Sequence, residues 1–342
     1  MIKWPWNLWA SGNGGGGSRL VVSSTADTFA YALADSAGTL QRCGVEQRHD
    51  FPAPDFARHL RTMGFPARGV TAVLPLSEAQ LLAVEAPAVK PDEMKAAARW
   101  RIKDLVDVRL DDLTIDVMAV GDDRPRAQKQ IFVAAAKNST LRVIGDFMRA
   151  AGMELSVIDM AETSQRNLLS AVATTHGLGE RATAGLVAHG DTCLLTICAR
   201  GELFYTRRLD WDGDGSSVAR AAAEPQPEAA PETLDFVDYG AEAQEAQAEA
   251  DGAPRLVIEL QRSFDVWERS WPDLPLVGLW VQVGEGSQDL ASRLEQALGM
   301  QVGVLDPERV FPGWEAAAPT PALRAAVLPL LGALLRNETR QL

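Results

Sequence analysis

Strand patterns followed by helical patterns occur in two separate stretches of the chain, and this repetition narrows the possible folds more than any other feature. The strand patterns lie at residues 20–33, 70–76 and 80–85 in the first stretch and at residues 192–199 and 202–209 in the second. In the second stretch, the two strand patterns flank Arg200-Gly201, a dipeptide typical of a hairpin turn. We therefore predict an α/β protein built on two sheets.

Composition and charge exclude several classes of protein. Hydrophobic residues make up 46% of the 342 residues, which is enough to bury a sizeable core. The net charge is −13 and no basic face is concentrated in the sequence, so a nucleic-acid binder is not expected. No apolar run approaches the roughly 20 residues that span a bilayer, and the N-terminus does not have the features of a signal peptide. We expect a cytoplasmic protein.

A helix is predicted to begin near residue 90, where Pro91 and two acidic residues suit a helix N-terminus. Its apolar stripe consists of Met94, Ala98, Ile102 and Leu105. At about 100° per residue, Trp100 lies roughly opposite this stripe, beside Lys103. Two interpretations are open: the indole packs under a neighbouring element, or it belongs to a docking surface for a partner segment.

Further helices are predicted from periodicity and end signals. One begins at Asn138 and ends at Gly152, and another runs from about Arg255 with an apolar face that includes Trp267. The last helix, at residues 323–335, is apolar nearly all round and is expected to be buried.

Two segments have compositions that are typical of chains that do not fold by themselves. Residues 1–18 combine Trp4, Trp6 and Trp9 with a glycine-rich tether, and the indoles suit either a membrane interface or packing on a protein. Residues 212–254 are dominated by Ala, Glu, Pro, Gln and Gly, and we expect a disordered acidic insertion with a candidate docking motif at 234–239.

No catalytic set can be assembled from the residues. The four histidines (His49, His59, His176 and His189) and three cysteines (Cys43, Cys193 and Cys198) lack metal-ligand spacing. An interval of five along a strand would place Cys193 and Cys198 on opposite faces of the sheet, and all three cysteines are expected to be reduced. The turn Gly284-Glu285-Gly286 precedes a helix that Ser287 can cap, and it suits either an anion cradle or a tight glycine turn.

Several motifs, taken in their order along the chain, resemble the MshI branch of the PilM-like type IV pilus assembly proteins. They lie at residues 81–87, 93–105, 110–116, 133–136, 151–159, 259–263 and 298–307. The most specific are Ala-Arg-Trp-x-Ile-Lys-Asp at 98–104 and Gln-Arg-Ser at 261–263. The resemblance covers about residues 20–335.

The resemblance implies an actin-like fold related to FtsA, with two lobes that are each built on a ribonuclease-H-like sheet. The first lobe would span residues 19–180 and contain an inserted subdomain at about 70–143. The second would span residues 181–322 and contain the acidic insertion, and residues 323–342 would form a helix returning to the first lobe.

The resemblance also implies a function. PilM-like proteins lie at the cytoplasmic face of the inner membrane of Gram-negative bacteria and bind the short cytoplasmic tail of a PilN-like membrane protein. We assign Trp100, Arg101 and Lys103 as candidate contacts for such a tail. One alternative is an ATP-binding or ATP-hydrolysing protein that switches pilus assembly. Another is a GspL-like component of a type II secretion system, although such proteins continue into a membrane helix that this sequence does not show.

Active actin-like ATPases carry an Asp followed by a Gly at the ends of two hairpins, and this chain departs from that pattern. Residues 21–26 contain neither, and Ala188 stands in place of the second acid although Gly190 is retained. Asp27 and Asp191 are nearby in a shifted register. Because metal-assisted phosphoryl transfer needs these acids, we expect a degenerate ATPase without catalytic or metal-binding residues. Residues of a vestigial cleft, with or without bound ATP, would be Gly190, Thr192, Glu259, Arg262, Gly284, Glu285, Gly286 and Ser287.

Overall fold

The computed structural model describes residues 18–49, 51–121, 129–211 and 255–336. These residues contain thirteen strands and eight α-helices. The strands are β1 (Arg19–Ser24), β2 (Thr28–Ala34), β3 (Leu40–Gln47), β4 (Val70–Leu74), β5 (Ala79–Glu85), β6 (Leu113–Ala119), β7 (Gln130–Lys137), β8 (Leu155–Met160), β9 (Ala182–His189), β10 (Thr192–Ala199), β11 (Glu202–Asp210), β12 (Leu276–Gln282) and β13 (Val302–Val304). The helices are α1 (Ala53–Thr62), α2 (Met94–Arg101), α3 (Asn138–Ala150), α4 (Ala161–Thr175), α5 (Arg255–Ser270), α6 (Ser287–Leu298), α7 (Trp314–Ala317) and α8 (Pro321–Leu334). The Trp-rich segment with most of its tether and the acidic insertion with its candidate motif lie outside these residues.

Two five-stranded sheets repeat one topology. The first has the order β3-β2-β1-β4-β8, and the second has the order β11-β10-β9-β12-β13. In each, an antiparallel meander of three strands is extended by two strands that run parallel to the first strand of the meander. The predicted α/β architecture with two sheets is confirmed.

A three-stranded antiparallel sheet, β5-β7-β6, is inserted between β4 and β8 of the first sheet. Ala98 of α2 and Ile102, the residue that follows the helix, are both fully buried and cover one face of this sheet. The inserted sheet begins at Ala79 and ends at Lys137, so it is narrower than the predicted range of 70–143. The difference arises because β4 pairs in parallel with β1, a long-range contact that the local strand pattern does not reveal.

Helices α4 and α8 pack together in a cluster that contains residues of both large sheets, including Val21 of β1 and Val187 of β9. The approach of the two helices is close: a Cβ atom added at Gly332 would lie 1.7 Å from the carbonyl oxygen of Ser164. The Ser164 hydroxyl donates to the Pro329 carbonyl at 2.6 Å, and Asn167 Nδ2 donates to the Gly332 carbonyl at 3.1 Å. These bonds join α4 to the C-terminal helix along its buried half.

The predicted burial of the last helix is right for one half only. Helix α8 is mainly buried from Val327 onward, whereas residues 321–326 are exposed or half-buried. Several residues of those first turns line a cavity that is described below. Among the described helices, none combines the length and the apolar character that a bilayer crossing requires.

Two local predictions are confirmed. The β10–β11 hairpin turns at Arg200 and Gly201, whose φ angles of 55° and 80° lie in the left-handed region that favours glycine. Cys193 and Cys198 belong to different buried clusters on opposite faces of the second sheet.

Candidate functional site

A cavity of about 880 Å³ opens between the two large sheets. Two hairpins face each other across it: β1–β2 of the first sheet and β9–β10 of the second. The first contributes Ser23, Thr25 and Thr28, and the second contributes His189, Asp191 and Thr192. The exposed first turns of α8 line a further side of the cavity.

The β1–β2 turn is organised by hydroxyl groups. The Thr25 hydroxyl lies 2.9 Å from that of Thr28 and accepts a hydrogen bond from the Asp27 backbone amide at 3.3 Å. Asp27 itself is exposed and is not among the residues that line the cavity. This hairpin therefore brings hydroxyl groups, and no carboxylate, to the cavity.

The β9–β10 turn contains Gly190, whose φ of 70° is left-handed. Asp191 follows and accepts a hydrogen bond from the Thr192 hydroxyl at 3.3 Å. Ala188 pairs with Cys193 in the strand ladder, so no acid stands at that register. Asp191 is consequently the carboxylate that this turn presents to the cavity.

His189 lies beside the cavity as a neutral base. Burial, with a smaller contribution from the positive charge of Arg208, lowers the pKa of His189 from 6.5 to about 4. Its Nε2 atom is buried and has no hydrogen-bond partner within the described residues. At neutral pH the imidazole therefore adds no positive charge to the cavity.

Arg208 of β11 extends from the second sheet to the first lobe. Its Nη1 donates to the Leu76 carbonyl at 2.7 Å, and its Nη2 donates to the Ala79 carbonyl at 2.7 Å. The same Nη2 lies 2.8 Å from the carboxylate of Glu162, a buried residue in the first turn of α4. Both terminal nitrogens are thus directed to acceptors of the protein itself.

Most of the predicted cleft residues lie elsewhere. Glu259 forms ion pairs with Arg207 and, at 3.6 Å, with Arg262, and all three belong to α5 or β11. The turn Gly284–Gly286 lies against α8 and does not line the cavity. Of the eight predicted residues, Thr192 lines the cavity and Gly190 belongs to the adjoining turn.

Ser287 was predicted to cap the N-terminus of α6, and the structure gives it a different role. Its hydroxyl accepts from the Val283 amide at 2.9 Å and lies 2.6 Å from the Gly284 carbonyl. The residue at the helix N-cap is Gly286, which makes no side-chain cap. Ser287 therefore closes the preceding turn, which a local capping pattern cannot distinguish from a true cap.

Of the two facing hairpins, only β9–β10 brings a carboxylate to the cavity. Mg²⁺ prefers carboxylate oxygens, and here the first hairpin supplies none. A further acid, Glu46 of β3, lines the cavity, but its carboxylate lies 3.2 Å from His59 Nε2. Over the described ranges, no group of three or more His, Cys, Asp and Glu side chains is arranged to hold a metal ion.

A second candidate site lies on α2 of the inserted subdomain. Trp100 is 69% exposed on the face opposite the buried Ala98 and Ile102, with Arg101 and Lys103 exposed beside it. The interpretation in which this indole packs under a neighbouring element is therefore wrong. We refer to Trp100, Arg101 and Lys103 as the Trp100 surface.

Sequence reasoning missed the roles of His189, Arg208 and Glu162. Glu162 and Arg208 are 46 positions apart, and neither belongs to a recognisable motif. One signal in the sequence could have identified His189. It lies just before Gly190 at a predicted hairpin end, where side chains of the two lobes meet.

The repeated five-stranded topology, the insertion between β4 and β8 and the returning C-terminal helix together define an actin-like fold. The chain is similar to a chain of the PilM–PilN type IV pilus biogenesis complex, with a TM-score of 0.63 and 17% identity over 93% of this chain and 98% of that chain. This likeness establishes the fold.

Two more distant structures are also similar. One is the cytoplasmic domain of EpsL, an inner membrane component of the type II secretion system of Vibrio cholerae, with a TM-score of 0.42 and 14% identity over 64% of this chain and 88% of that chain. The other is a protein with an actin-like ATPase fold from Bacteroides thetaiotaomicron, with a TM-score of 0.47 and 9% identity over 85% of this chain and 92% of that chain. Both are too distant to support a functional argument. No family model and no curated protein matches the sequence.

Proposed function

We propose that this protein is a non-catalytic scaffold of a type IV pilus assembly complex of the MSHA type, and that it binds the cytoplasmic tail of a PilN-like membrane protein. Its place would be the inner face of the inner membrane of a Gram-negative bacterium. Two observations support the proposal: the ordered motifs that resemble the MshI branch, and the actin-like fold shared over nearly the whole chain with a component of the PilM–PilN complex.

The exposed indole of Trp100 is the observation that carries the partner-binding part of the proposal. A side chain of this size leaves a large apolar area in water, and covering it with a partner would be favourable. Arg101 and Lys103 provide positive charge at its margin, which suits an acidic segment. Aromatic and Arg residues of this kind dominate the binding energy of many interfaces.

The test is a titration of a fluorescently labelled peptide, corresponding to the N-terminal tail of the PilN-like protein of the same organism, followed by anisotropy. We expect Trp100→Ala to raise the Kd by about tenfold or more, which corresponds to at least about 1.4 kcal/mol. The matched control is Val143→Ala on α3, since Val143 is 68% exposed and lies outside the Trp100 surface. Unchanged affinity in a folded Trp100→Ala variant would contradict the assignment.

The absence of catalysis is a separate part of the proposal, supported by the single hairpin carboxylate, Asp191, at the cavity. Calorimetric titration with ATP, with and without Mg²⁺, followed by a phosphate-release assay, tests it. We expect no Mg²⁺-dependent turnover. Binding without hydrolysis would indicate a scaffold that holds ATP, whereas turnover abolished by Asp27→Ala or Asp191→Ala would establish the ATPase alternative instead.

Membrane contact by Trp4, Trp6 and Trp9 completes the proposal, because indoles favour the headgroup region of a bilayer. Flotation with liposomes of anionic and zwitterionic lipids tests it. The intact chain is expected to float, and a chain lacking residues 1–12 is expected to remain at the bottom of the gradient. Equal flotation of the two chains would contradict a role for the tryptophans.

A further inference from the structure

Strand β11 is an edge strand of the second sheet. Hydrogen bonds connect both ends of this strand to the inserted subdomain or to the segment that enters it. Near its start, the Gly121 backbone amide donates to the Leu203 carbonyl at 2.8 Å. Near its end, Arg208 donates to the carbonyls of Leu76 and Ala79, where the chain leaves the first sheet and enters β5. The edge of the second lobe is therefore held by a subdomain that belongs to the first.

Apolar packing accompanies these bonds. Val120 and Phe132 of the insert are buried in the same cluster as Leu203 of β11. Gly121 has a φ of 65°, and a Cβ atom at this position would lie 2.4 Å from the ring of Phe204. Glycine thus satisfies both the backbone conformation and the close approach of the insert to β11.

The Arg208 contact also engages the helix that connects the lobes. Glu162 is 2% exposed, in the first turn of α4, and its carboxylate faces Arg208 at 2.8 Å. A buried carboxylate is stable only when its charge is paired, and Arg208 supplies that charge from the second lobe. The guanidinium therefore binds three acceptors: the Leu76 and Ala79 carbonyls, which lie outside its own lobe, and the carboxylate of Glu162 on the connecting helix.

We propose that the contacts of β11 with the inserted subdomain and with α4 form a clasp that holds the two lobes together independently of any ligand in the cavity. The clasp consists of the Arg208–Glu162 pair, the bonds from Arg208 to the Leu76 and Ala79 carbonyls, and the Gly121–Leu203 bond. The Arg208 side chain thus forms a bridge between the lobes that is part of the protein itself. This inference depends neither on the identity of the partner nor on the proposed lack of catalysis.

Hydrogen exchange of the Gly121 amide, resolved by NMR on the full chain without nucleotide, tests the clasp. We expect this amide to be protected in the wild type and to exchange about tenfold faster or more in Arg208→Ala, while amides of the central strand β9 keep their rates. The matched control is Arg207→Ala, because Arg207 is the preceding residue and pairs with Glu259 inside the second lobe. Arg207→Ala should leave the Gly121 rate unchanged.

Glu162→Gln provides a milder second variant, since the amide keeps the volume and removes the charge. We expect it to accelerate Gly121 exchange by a smaller factor than Arg208→Ala does, and it carries the test should Arg208→Ala fail to fold. An Arg208→Ala or Glu162→Gln protein with the wild-type Gly121 rate would overturn the proposal. So would a wild-type protein whose Gly121 amide becomes protected only after Mg²⁺ and ATP are added.

Discussion

Two of the regions in which the two lobes meet differ in character. Along α4 and α8 the contact is close, with buried side chains from both sheets and a glycine against a backbone carbonyl. At the facing hairpins the contact is open, and hydroxyl groups, a neutral imidazole and one turn carboxylate surround a cavity. The first region leaves no space for an additional atom, whereas the second has space for a ligand.

This difference indicates in which part of the molecule residues can be substituted without loss of the fold. Close packing penalises any change of volume, so residues of the helix contact are constrained by stability. Residues that line the open cavity are less restricted by this volume penalty. An alanine at the Ala188 position of the β9–β10 hairpin is compatible with an intact actin-like fold.

The largest expected effect is at the helix contact. Gly332→Ala should lower the free energy of unfolding by about 3 kcal/mol, because the new Cβ atom would meet the Ser164 carbonyl at 1.7 Å. The control is Gly145→Ala in α3, where nothing lies within 4 Å of the added atom. That change should instead stabilise the protein by about 0.5–1 kcal/mol. Urea denaturation measures both, and a Gly332→Ala protein as stable as the wild type would refute the close contact.

A pH-dependent effect of similar maximum size, reached only at acid pH, is expected at the cavity. The pKa of His189 is about 4 in the folded protein against 6.5 in the unfolded chain, so between these values only the unfolded chain binds the proton. Stability should be complete above pH 6.5 and fall as the pH drops toward 4, by up to about 3 kcal/mol.

The measurement is urea denaturation across pH 4–7 for the wild type and for His189→Gln. The variant has no titrating group at this position, and its stability should depend less steeply on pH over the same window. Identical slopes for the two proteins would show that burial of a neutral His189 is not the cause.

The smallest effect on stability is expected at the Trp100 surface, which belongs to neither region of lobe contact. Because Trp100 is 69% exposed, Trp100→Ala should change the free energy of unfolding by less than about 0.5 kcal/mol. Thermal denaturation of Trp100→Ala beside Val143→Ala provides the check. A large loss for Trp100→Ala alone would mean that the indole supports the fold, which would weaken its assignment to partner binding.

Local patterns were sufficient for much of the fold. The alternation along residues 192–209 and the turn at Arg200-Gly201 identified the β10–β11 hairpin, since both signals depend on neighbouring residues only. The apolar stripe of α2 likewise placed Trp100 opposite Ala98 and Ile102. The same patterns could not decide whether another element covered the indole, because that depends on residues far away in the sequence.

The candidate site was less accessible to sequence reasoning. Thr192 and Gly190 were identified at or beside the cavity, whereas Glu259 and the 284–286 turn were assigned to a cleft that they do not line. Their motifs describe backbone turns and ion pairs equally well as ligand contacts. Only the packing of α8 against the Gly284–Gly286 turn distinguishes these cases.

Periodicity and turn chemistry in the chain were thus enough to establish an α/β protein with two sheets, the face on which Trp100 stands and the opposite burial of Cys193 and Cys198. The boundary of the insert, the composition of the cavity and the bridge from Arg208 to Leu76, 132 positions away, required the folded molecule. The physical reason is the distance along the sequence over which each signal acts. Side-chain periods of 2 and about 3.6 residues are properties of neighbouring positions. Pairing and burial depend instead on which distant segments meet.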